Sequence, residues 1–302
     1  MKWWMLFAVV IATLTAGVFL YAQEPHEIKI PGLPRITIPT PDTTGRDEAA
    51  QKINEVHAAI VEAKSVRIPL ADWQKQLDST QRLFDERNFS AAKTVATALT
   101  MALTAELTKE NQKPKIAITF DAGAGVEPAP DLINYLRETR TKITLFSTGK
   151  WAEQNHELLK QILMPDSDII NELGNHTYNH PHLVSDGMTD EQIRDQIIQT
   201  EEIFKNLGYT AKPRFRYPYG EHNNHTDTIV TELGYRVVSW SFDSLGWQGQ
   251  LTPEQIVERV ISKIKPNGIV LMHVGSPQDV AAFPLIVDRL QSQYRFIFIS
   301  EL

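Results

Sequence analysis

Short apolar runs alternate with helical patterns from residue 115 to the C-terminus, and this alternation constrains the fold more than any other feature. Seven runs have the length and the branched or aromatic content of buried strands: 116–120, 143–146, 168–173, 214–217, 236–242, 269–272 and 296–299. Helical spacing separates them, as at 131–137, 189–204, 253–264 and 283–290. Repeated strand–helix units indicate a parallel α/β sheet, and both a barrel and an open doubly wound sheet satisfy the pattern.

A purely helical periodicity precedes this region. Between residues 46 and 112 the apolar positions recur every three or four residues, with breaks near Pro69 and Asn88. The spacing predicts two or three antiparallel helices that form a small bundle or stalk. Stripes of this kind usually form a core, so no chemistry is expected on them.

The N-terminus predicts export. Met1 and Lys2 are followed by twenty uncharged, mainly apolar residues, 3–22, which is about the length that crosses a bilayer. Segment 1–22 is either a signal peptide or an uncleaved membrane anchor, since Ala22 suits a cleavage point but Leu20 is larger than the residue preferred there. Residues 23–45 hold five of the seventeen prolines and are expected to form an extended linker. The predicted location is therefore extracytoplasmic, with membrane contact if the segment is retained.

Ionisable residues stand at the ends of five predicted strands. Parallel α/β folds build their sites at the carboxyl ends of strands, so these side chains are expected to converge. A single such residue is more often a helix cap, but capping alone does not explain five on separate strands. The five are Asp121, His176, Arg216, Asp243 and His273.

Two histidines have the spacing of a metal-binding pair. His176 and His180 are four residues apart, which places both imidazoles on one face if a helical turn begins there. The chain has no cysteine, so any metal must use His, Asp, Glu or water as ligands. The net charge of -7 argues against a nucleic-acid partner.

The glycines after Asp121 do not form a nucleotide site. A dinucleotide-binding loop would need a third glycine where Pro128 stands, and the Gly-Lys-Ser/Thr of a triphosphate loop is absent. The glycines are expected to let the backbone turn tightly beside a pocket.

Five motifs together resemble the polysaccharide deacetylases, carbohydrate esterase family 4, which carry a NodB-type domain. They are "TFDAG", "GNHTYNHPHL", "RFRYPYG", "WSFDSLGW" and "LMH", in the family's order, and the resemblance covers residues 113–302. It implies a distorted (β/α) barrel of about seven parallel strands that removes acetyl groups from amino sugars of a polymer. It also implies a bound divalent metal, zinc first, with cobalt or nickel as alternatives.

The resemblance assigns a role to each matching residue. Asp121 corresponds to the catalytic base, and Arg216 to the arginine that holds it ionised. His176 and His180 correspond to metal ligands, Asp243 to the partner of the general acid, and His273 to that acid. Tyr219 corresponds to the residue whose backbone N–H faces the oxyanion, and Trp247 and Leu271 to the walls of the acetyl pocket. These roles suit amide hydrolysis, which needs an activated water, a stabilised oxyanion and a proton for the leaving amine.

Two departures from the family pattern bear on activity. Ala122 stands where a second, metal-binding carboxylate is usual, so metal affinity is expected to fall. Gly246 stands where the fourth motif usually has Asp before Trp247. Three functions therefore stay open: an N-deacetylase of an envelope glycan such as peptidoglycan or a chitin-like chain, an O-acetyl esterase on a polysaccharide, and a glycan-binding protein with little or no activity.

Overall fold

The computed structural model describes residues 26–28, 36–38, 45–66, 68–165, 170–185 and 187–302. The predicted signal or anchor segment 1–22, most of the linker and positions 168–169 lie outside the described residues. The chain divides into two compact units, Met1–Gln112 and Lys113–Leu302.

The first unit is mainly helical. Two short strands, β1 (His26–Ile28) and β2 (Ile36–Ile38), pair antiparallel. Three helices follow, α1 (Arg46–Ser65), α2 (Ala71–Asp85) and α3 (Phe89–Gln112). Their apolar stripes form a core that includes Val56 and Ile60 of α1 and Leu99 and Leu103 of α3, each pair one helical turn apart. No helix among the described residues is long and apolar enough to cross a membrane.

The second unit alternates strands and helices. Its elements are β3 (Lys115–Ala122), α4 (Ala129–Thr139), β4 (Thr144–Ser147), α5 (Gly149–Gln154), α6 (His156–Leu163), β5 (Glu172–Asn175), α7 (Asp190–Asn206), β6 (Arg214–Phe215), α8 (Asn224–Glu232), β7 (Arg236–Val237), β8 (Phe242–Asp243), α9 (Pro253–Lys263), β9 (Gly268–His273), α10 (Pro277–Leu290) and β10 (Arg295–Phe296). Short 3-10 turns lie at Pro218–Gly220, Gly246–Gln248 and Ile299–Glu301.

All strands of the second unit belong to one parallel sheet. The strand order is β7-β6-β5-β4-β3-β9-β8, and β10 pairs with the first residues of β3. Helices cover the sheet, and the apolar core lies between them, with Ile118 and Phe120 of β3 among its fully buried members. The prediction of a distorted (β/α) barrel of about seven parallel strands is confirmed.

One predicted strand, 236–242, is two strands in the structure. Val238 N–H donates to Phe215 O beyond β7, whereas Ser241 N–H donates to Ile269 O before β8. These two strands occupy opposite ends of the sheet order, yet the four residues that join them span less than about 20 Å. The sheet must therefore curve until its two ends approach each other. The segment that passes from one end of the sheet to the other is the distorted part of the barrel.

Two other strand predictions need smaller corrections. The run at 296–299 forms the strand Arg295–Phe296 and then turns at Ile299–Glu301. The run at 168–173 yields the strand Glu172–Asn175, which extends two residues beyond the predicted end.

The register brings the carboxyl ends of the central strands to the same level. Asp121 of β3 is aligned with His273 of β9, and Asp243 of β8 is aligned with Leu271. Arg216 directly follows β6, and His176 directly follows β5. The five ionisable residues therefore lie at one end of the barrel.

Candidate active site

A cavity of about 640 Å³ opens at this end of the barrel. Eight of the nine predicted site residues line it, and the ninth, Arg216, is fully buried behind Asp121. The lining residues are Asp121, His176, His180, Tyr219, Asp243, Trp247, Leu271 and His273. The volume is in the range of small-molecule sites.

Asp121 is a buried carboxylate held by a buried guanidinium. Arg216 Nη1 donates to Asp121 Oδ1 at 2.8 Å and to Thr119 Oγ1 at 2.8 Å, while its Nε donates to Val238 O at 3.1 Å. Burial by itself raises the pKa of Asp121, but the positive charge of Arg216 opposes it, and the net pKa lies below the ordinary value. Asp121 is therefore ionised at neutral pH.

His176 and His180 meet through a loop rather than on a helix. Residues 176–180 are irregular, and both Thr177 and His180 have positive φ, 68° and 64°. No helical turn begins there, so helical spacing does not align the pair, yet the rings do come together, with centroids 4.7 Å apart. The left-handed residues reverse the chain within a few positions.

Only one of the two ring nitrogens of His176 carries a proton, and the other keeps its lone pair. Its Nδ1 lies 2.9 Å from the carbonyl oxygen of Arg216, which can only accept, so Nδ1 carries the proton. Its Nε2 then carries no proton and has a free lone pair, 3.5 Å from Asp121 Oδ2. Burial lowers the pKa of His176, and burial lowers that of His180 to about 4. Both imidazoles are neutral at neutral pH.

These two imidazoles can bind a divalent metal ion, but the site offers few other ligands for it. Neutral imidazole is a common zinc ligand, and a carbonyl that fixes the other ring nitrogen is the usual support for one. However, the described residues contain no group of three or more His, Cys, Asp or Glu side chains arranged to hold a metal. Ala122 is fully buried in the apolar core and is absent from the residues that line the cavity. The donor set thus consists of His176 and His180, with Asp121 nearby.

The structure corrects the expected partner of His273. Asp243 is already occupied, because its Oδ1 accepts the Leu245 N–H at 2.8 Å and its Oδ2 accepts the Trp247 Nε1–H at 2.9 Å. The carboxylate beside His273 is that of Asp279, whose Oδ2 lies 3.4 Å from His273 Nδ1. The turn at residues 245–247 folds back over Asp243 and engages both of its oxygens, so Asp243 acts on His273 through its charge and not through the contact that Asp279 makes.

His273 has the charge preference of an acid. Burial by itself lowers its pKa, but Asp279, Asp121 and Asp243 raise it, and the net pKa lies above the ordinary value. His273 and Asp121 therefore have pKa values displaced in opposite directions. Such a pair is typical of sites that use one group as base and the other as acid.

Aromatic residues form the rim of the cavity. Tyr219 and Trp247 are about half exposed, whereas Leu271 is buried at the cavity floor. Tyr219 has φ of 59°, and its ring stacks on that of His182 with centroids 3.7 Å apart. Exposed aromatic faces beside a polar cavity suit the apolar faces of sugar rings. The role of the Tyr219 backbone N–H stays a prediction.

The glycines after β3 form a turn beside the cavity. Gly125 has φ of 72°, which favours glycine, and its carbonyl accepts the Trp151 Nε1–H at 3.1 Å. Gly123 lines the cavity. Both observations agree with the predicted turn.

Sequence reasoning missed four residues that shape the site. Thr119 accepts a hydrogen bond from Arg216, and the rings of Phe146 and Trp240 lie 4.0 and 5.5 Å from its guanidinium carbon. Asp279 is the fourth. Its only signal in the sequence is an acidic residue six positions after His273.

Comparisons with known proteins agree with this geometry. The family model described as polysaccharide deacetylase matches residues 108–238. A peptidoglycan-N-acetylglucosamine deacetylase of Bacillus cereus is 34% identical over 199 residues, which cover 64% of this chain and 89% of the relative. A second B. cereus protein of the same name is 34% identical over 161 residues, 53% of this chain and 56% of its own length.

Solved structures extend the likeness to the fold. The crystal structure of a peptidoglycan N-acetylglucosamine deacetylase is 31% identical, with a TM-score of 0.57 over 63% of this chain and 88% of that one. A carbohydrate esterase family 4 pseudoenzyme from Bacillus anthracis is 27% identical, with a TM-score of 0.56 over 63% and 66%. A mutant of that pseudoenzyme is described as having restored enzymatic activity. Together with the matching motifs, these relatives show that the chain belongs to the polysaccharide deacetylase family of hydrolases.

Proposed function

We propose that this protein is an exported, metal-dependent deacetylase of N-acetylated amino sugars in a cell-envelope or extracellular polysaccharide, peptidoglycan or a chitin-like chain. One observation carries the proposal. Asp121 and His273 are aligned on adjacent strands at one cavity, with their pKa values shifted in opposite directions. Relatives named as peptidoglycan-N-acetylglucosamine deacetylases support the substrate class.

Asp121 is the base of the reaction. Arg216 occupies Oδ1, so Oδ2 is the oxygen that can accept a proton from water in the cavity. The water oxygen attacks the acetyl carbonyl carbon, its proton passes to Asp121, and the carbonyl oxygen takes the negative charge. Arg216 keeps Asp121 anionic until that transfer, because protonation would leave a buried guanidinium without its counter-charge.

His273 completes the cleavage. Collapse of the tetrahedral intermediate breaks the carbon–nitrogen bond, and the amine nitrogen must receive a proton as it leaves. His273 is charged over a wider pH range than an ordinary histidine, so it can supply that proton. The products are acetate and a free amino sugar.

The proposed oxyanion donor and the proposed metal ligands lie on the same side of the cavity. The backbone N–H of Tyr219 is the proposed oxyanion donor, and a donor of this kind contributes about 3 kcal/mol to transition-state binding. His176 and His180 are the residues that would hold a divalent ion. When bound, such an ion polarises the carbonyl and lowers the pKa of water.

A glycan-binding protein with a weakened site is the rival function. Ala122 favours it, because the position supplies no metal donor, and so does the structural likeness to a pseudoenzyme. Acetate release separates the two functions. Purified protein is incubated with peptidoglycan and with N-acetylglucosamine oligomers, with zinc, cobalt or nickel supplied, and acetate and free amine are measured.

The expected result is release of acetate and amine in equal amounts. Asp121→Asn should lower the rate by about 100-fold or more, since positioned general bases contribute roughly 10²–10⁴. Asp131→Asn, an exposed carboxylate on α4, is the matched control. No acetate from any substrate, together with glycan binding that survives Asp121→Asn, would support the rival function. Acetate without new amine from an O-acetylated glycan would indicate an esterase.

A second experiment, with and without added zinc, tests the two-histidine site. Ala122→Asp should lower the melting temperature of the metal-free protein, because it places a carboxylate in the apolar core. If that carboxylate reaches the metal, zinc should raise the melting temperature and the rate more in the variant than in the parent. Equal zinc responses would show that position 122 has no part in metal binding.

Export is proposed from the apolar segment 3–22. A fusion of residues 1–45 to a reporter enzyme that is active only outside the cytoplasm tests it. Reporter activity in the membrane fraction would indicate an anchor, activity in the medium a cleaved signal peptide, and no activity would contradict export.

A further inference from the structure

Asp279 is a buried carboxylate that lies beside the imidazole of His273. It lies in the first turn of α10 and is fully buried. Its Oδ2 accepts the backbone N–H of His273 at 3.0 Å and lies 3.4 Å from His273 Nδ1. A fully buried carboxylate is costly unless it is compensated, so its place beside an imidazole calls for an explanation.

One polar atom of each side chain has no hydrogen-bond partner in the described part of the chain, although Asp279 Oδ2 accepts the His273 backbone N–H. His273 Nδ1 and Asp279 Oδ1 are both buried, and neither has a hydrogen-bond partner among the residues that the structure describes. The distance of 3.4 Å from Nδ1 to Oδ2 is slightly long for a hydrogen bond, as is common in catalytic pairs before substrate binds. Within the part of the chain that the structure describes, no other acceptor forms a hydrogen bond with His273 Nδ1.

Gly246 makes room for this carboxylate. A Cβ atom built at position 246 would lie 2.2 Å from Asp279 Oδ1 and 2.5 Å from its Cγ. Real atoms do not approach so closely, so a side chain at 246 would force the carboxylate of Asp279 to move from its place beside His273. The family's fourth motif usually has Asp at this position, whereas here the glycine leaves the space to the carboxylate of Asp279.

We propose that Asp279 is the positioning residue for His273, and that it delivers from α10 the carboxylate that the fourth motif lacks at position 246. In this arrangement Asp279 fixes the Nδ1–H tautomer of His273 and directs Nε2 towards the cavity. Asp243 instead anchors the turn that carries Trp247. The inference rests on the proposed function, in which His273 is the acid.

The other titratable groups near His273 come from three parts of the fold. Asp121 faces it from β3 and Asp243 from β8, while His176 and His180 lie across the cavity. Of these groups Asp279 is the one in contact with Nδ1. Replacing it should therefore change the orientation of His273 as well as its charge.

The first test is Asp279→Asn, measured with the full chain in the acetate-release assay. The value of kcat should fall by about 100-fold, the magnitude of a general acid, while KM changes little. Loss of the charge lowers the pKa of His273, so the alkaline limb of kcat/KM should move to lower pH. Asp288→Asn, an exposed carboxylate on the same helix, should leave both unchanged. An Asp279→Asn protein with parental kcat and an unmoved alkaline limb would overturn the proposal.

The second test relocates the carboxylate. Gly246→Asp alone should lose activity through its clash with Asp279, and Asp279→Ala alone should lose it through the missing partner. The double variant Gly246→Asp/Asp279→Ala should be at least tenfold more active than either. A merely structural role for Asp279 predicts no such rescue, so a double variant no better than Asp279→Ala would contradict the proposal.

A direct titration separates this inference from the proposed function. The pKa of His273 is measured by NMR in histidine-labelled protein, with His273→Gln to assign the signal. It should lie above the ordinary value in the parent, fall in Asp279→Asn and recover in the double variant, even if the parent releases no acetate. An unchanged pKa in a folded Asp279→Asn protein would refute the pairing, whereas absent acetate release alone would refute only the function.

Discussion

At the scale of single residues, the site depends on one buried ion pair. Arg216 has no exposed surface, and its guanidinium lies against the rings of Phe146 and Trp240 while it donates to Asp121. Removing two charges from water costs several kcal/mol, which is recovered only while both partners are present. The pair therefore contributes to function by fixing an anionic base more than it contributes to net stability.

Replacing Arg216 should show how far the site depends on this ion pair. Arg216→Met leaves Asp121 buried without its counter-charge, which should lower the free energy of unfolding at pH 7 by about 3–5 kcal/mol. In the parent the pKa of Asp121 is below its ordinary value, so its ionised form stabilises the fold, and that contribution is lost as pH falls through the folded pKa. In the variant the effect of burial prevails and the pKa rises, so the variant should regain stability relative to the parent on acidification.

Urea unfolding at a series of pH values measures this change, and any residual activity should show its acid limb moved to higher pH. Arg289→Met is the control, because Arg289 is exposed and its ion pair with Glu258 spans 3.7 Å. Equal stability losses in the two variants would contradict the buried-pair interpretation.

The ionisable residues at strand ends were predictable, and their partners were not. Asp121, His176 and His273 each follow an apolar run, and the rule that parallel strands end at one edge was enough to bring them together. Asp279 lies inside a helical pattern, where an acidic residue in the first turn normally stabilises the N-terminus of the helix. Its place beside His273 depends on how α10 packs against the turn at Gly246, which no local pattern records.

At the scale of elements, a glycine on β5 lets Phe146 of β4 support Arg216. Gly174 is aligned with Phe146, and a Cβ at Gly174 would lie 2.3 Å from two carbons of the Phe146 ring. The same ring lies 4.0 Å from the Arg216 guanidinium carbon. The pairing of a glycine with a large residue across two strands therefore sets the position of the arginine.

Gly174→Ala should push the Phe146 ring out of place. Overpacking of this kind costs about 1–3 kcal/mol, and the displaced ring should also disturb Arg216, so acetate release should fall together with stability. Gly208→Ala is the control, because Gly208 has φ of 87° with open space around it and has no part in the site. It should lose stability of a similar size with parental kcat. Unaltered kcat in Gly174→Ala would show that Phe146 does not position Arg216.

Element boundaries were predicted less well than element types. The run from Val238 to Ser241 alternates apolar and polar residues as one strand would and contains neither Gly nor Pro. In the structure its two ends hydrogen-bond to opposite ends of the sheet. The interruption arises from barrel curvature, a property of the whole sheet that a local pattern does not carry.

At the scale of the whole molecule, the chain contains separate hydrophobic cores. The first unit has one core that joins its helices and a small cluster of Ala49, Phe89 and Ala92, and another core lies between the sheet and helices of the second unit. Every residue assigned to the site, including Asp279, belongs to Lys113–Leu302. A unit with its own core and its own site meets the physical requirements of a domain.

A fragment of residues 113–302 should therefore fold alone and keep the chemistry. It should unfold in one cooperative transition by circular dichroism, because a single core supports it. Its kcat on short N-acetylglucosamine oligomers should match that of the full chain, since the strands that hold Asp121, Arg216 and His273 are all present. Asp121→Asn in the fragment serves as the inactive control. A fragment that folds cooperatively but has lost activity would assign the helical unit a direct part in catalysis, whereas one without a cooperative transition would show that the second core does not suffice for folding.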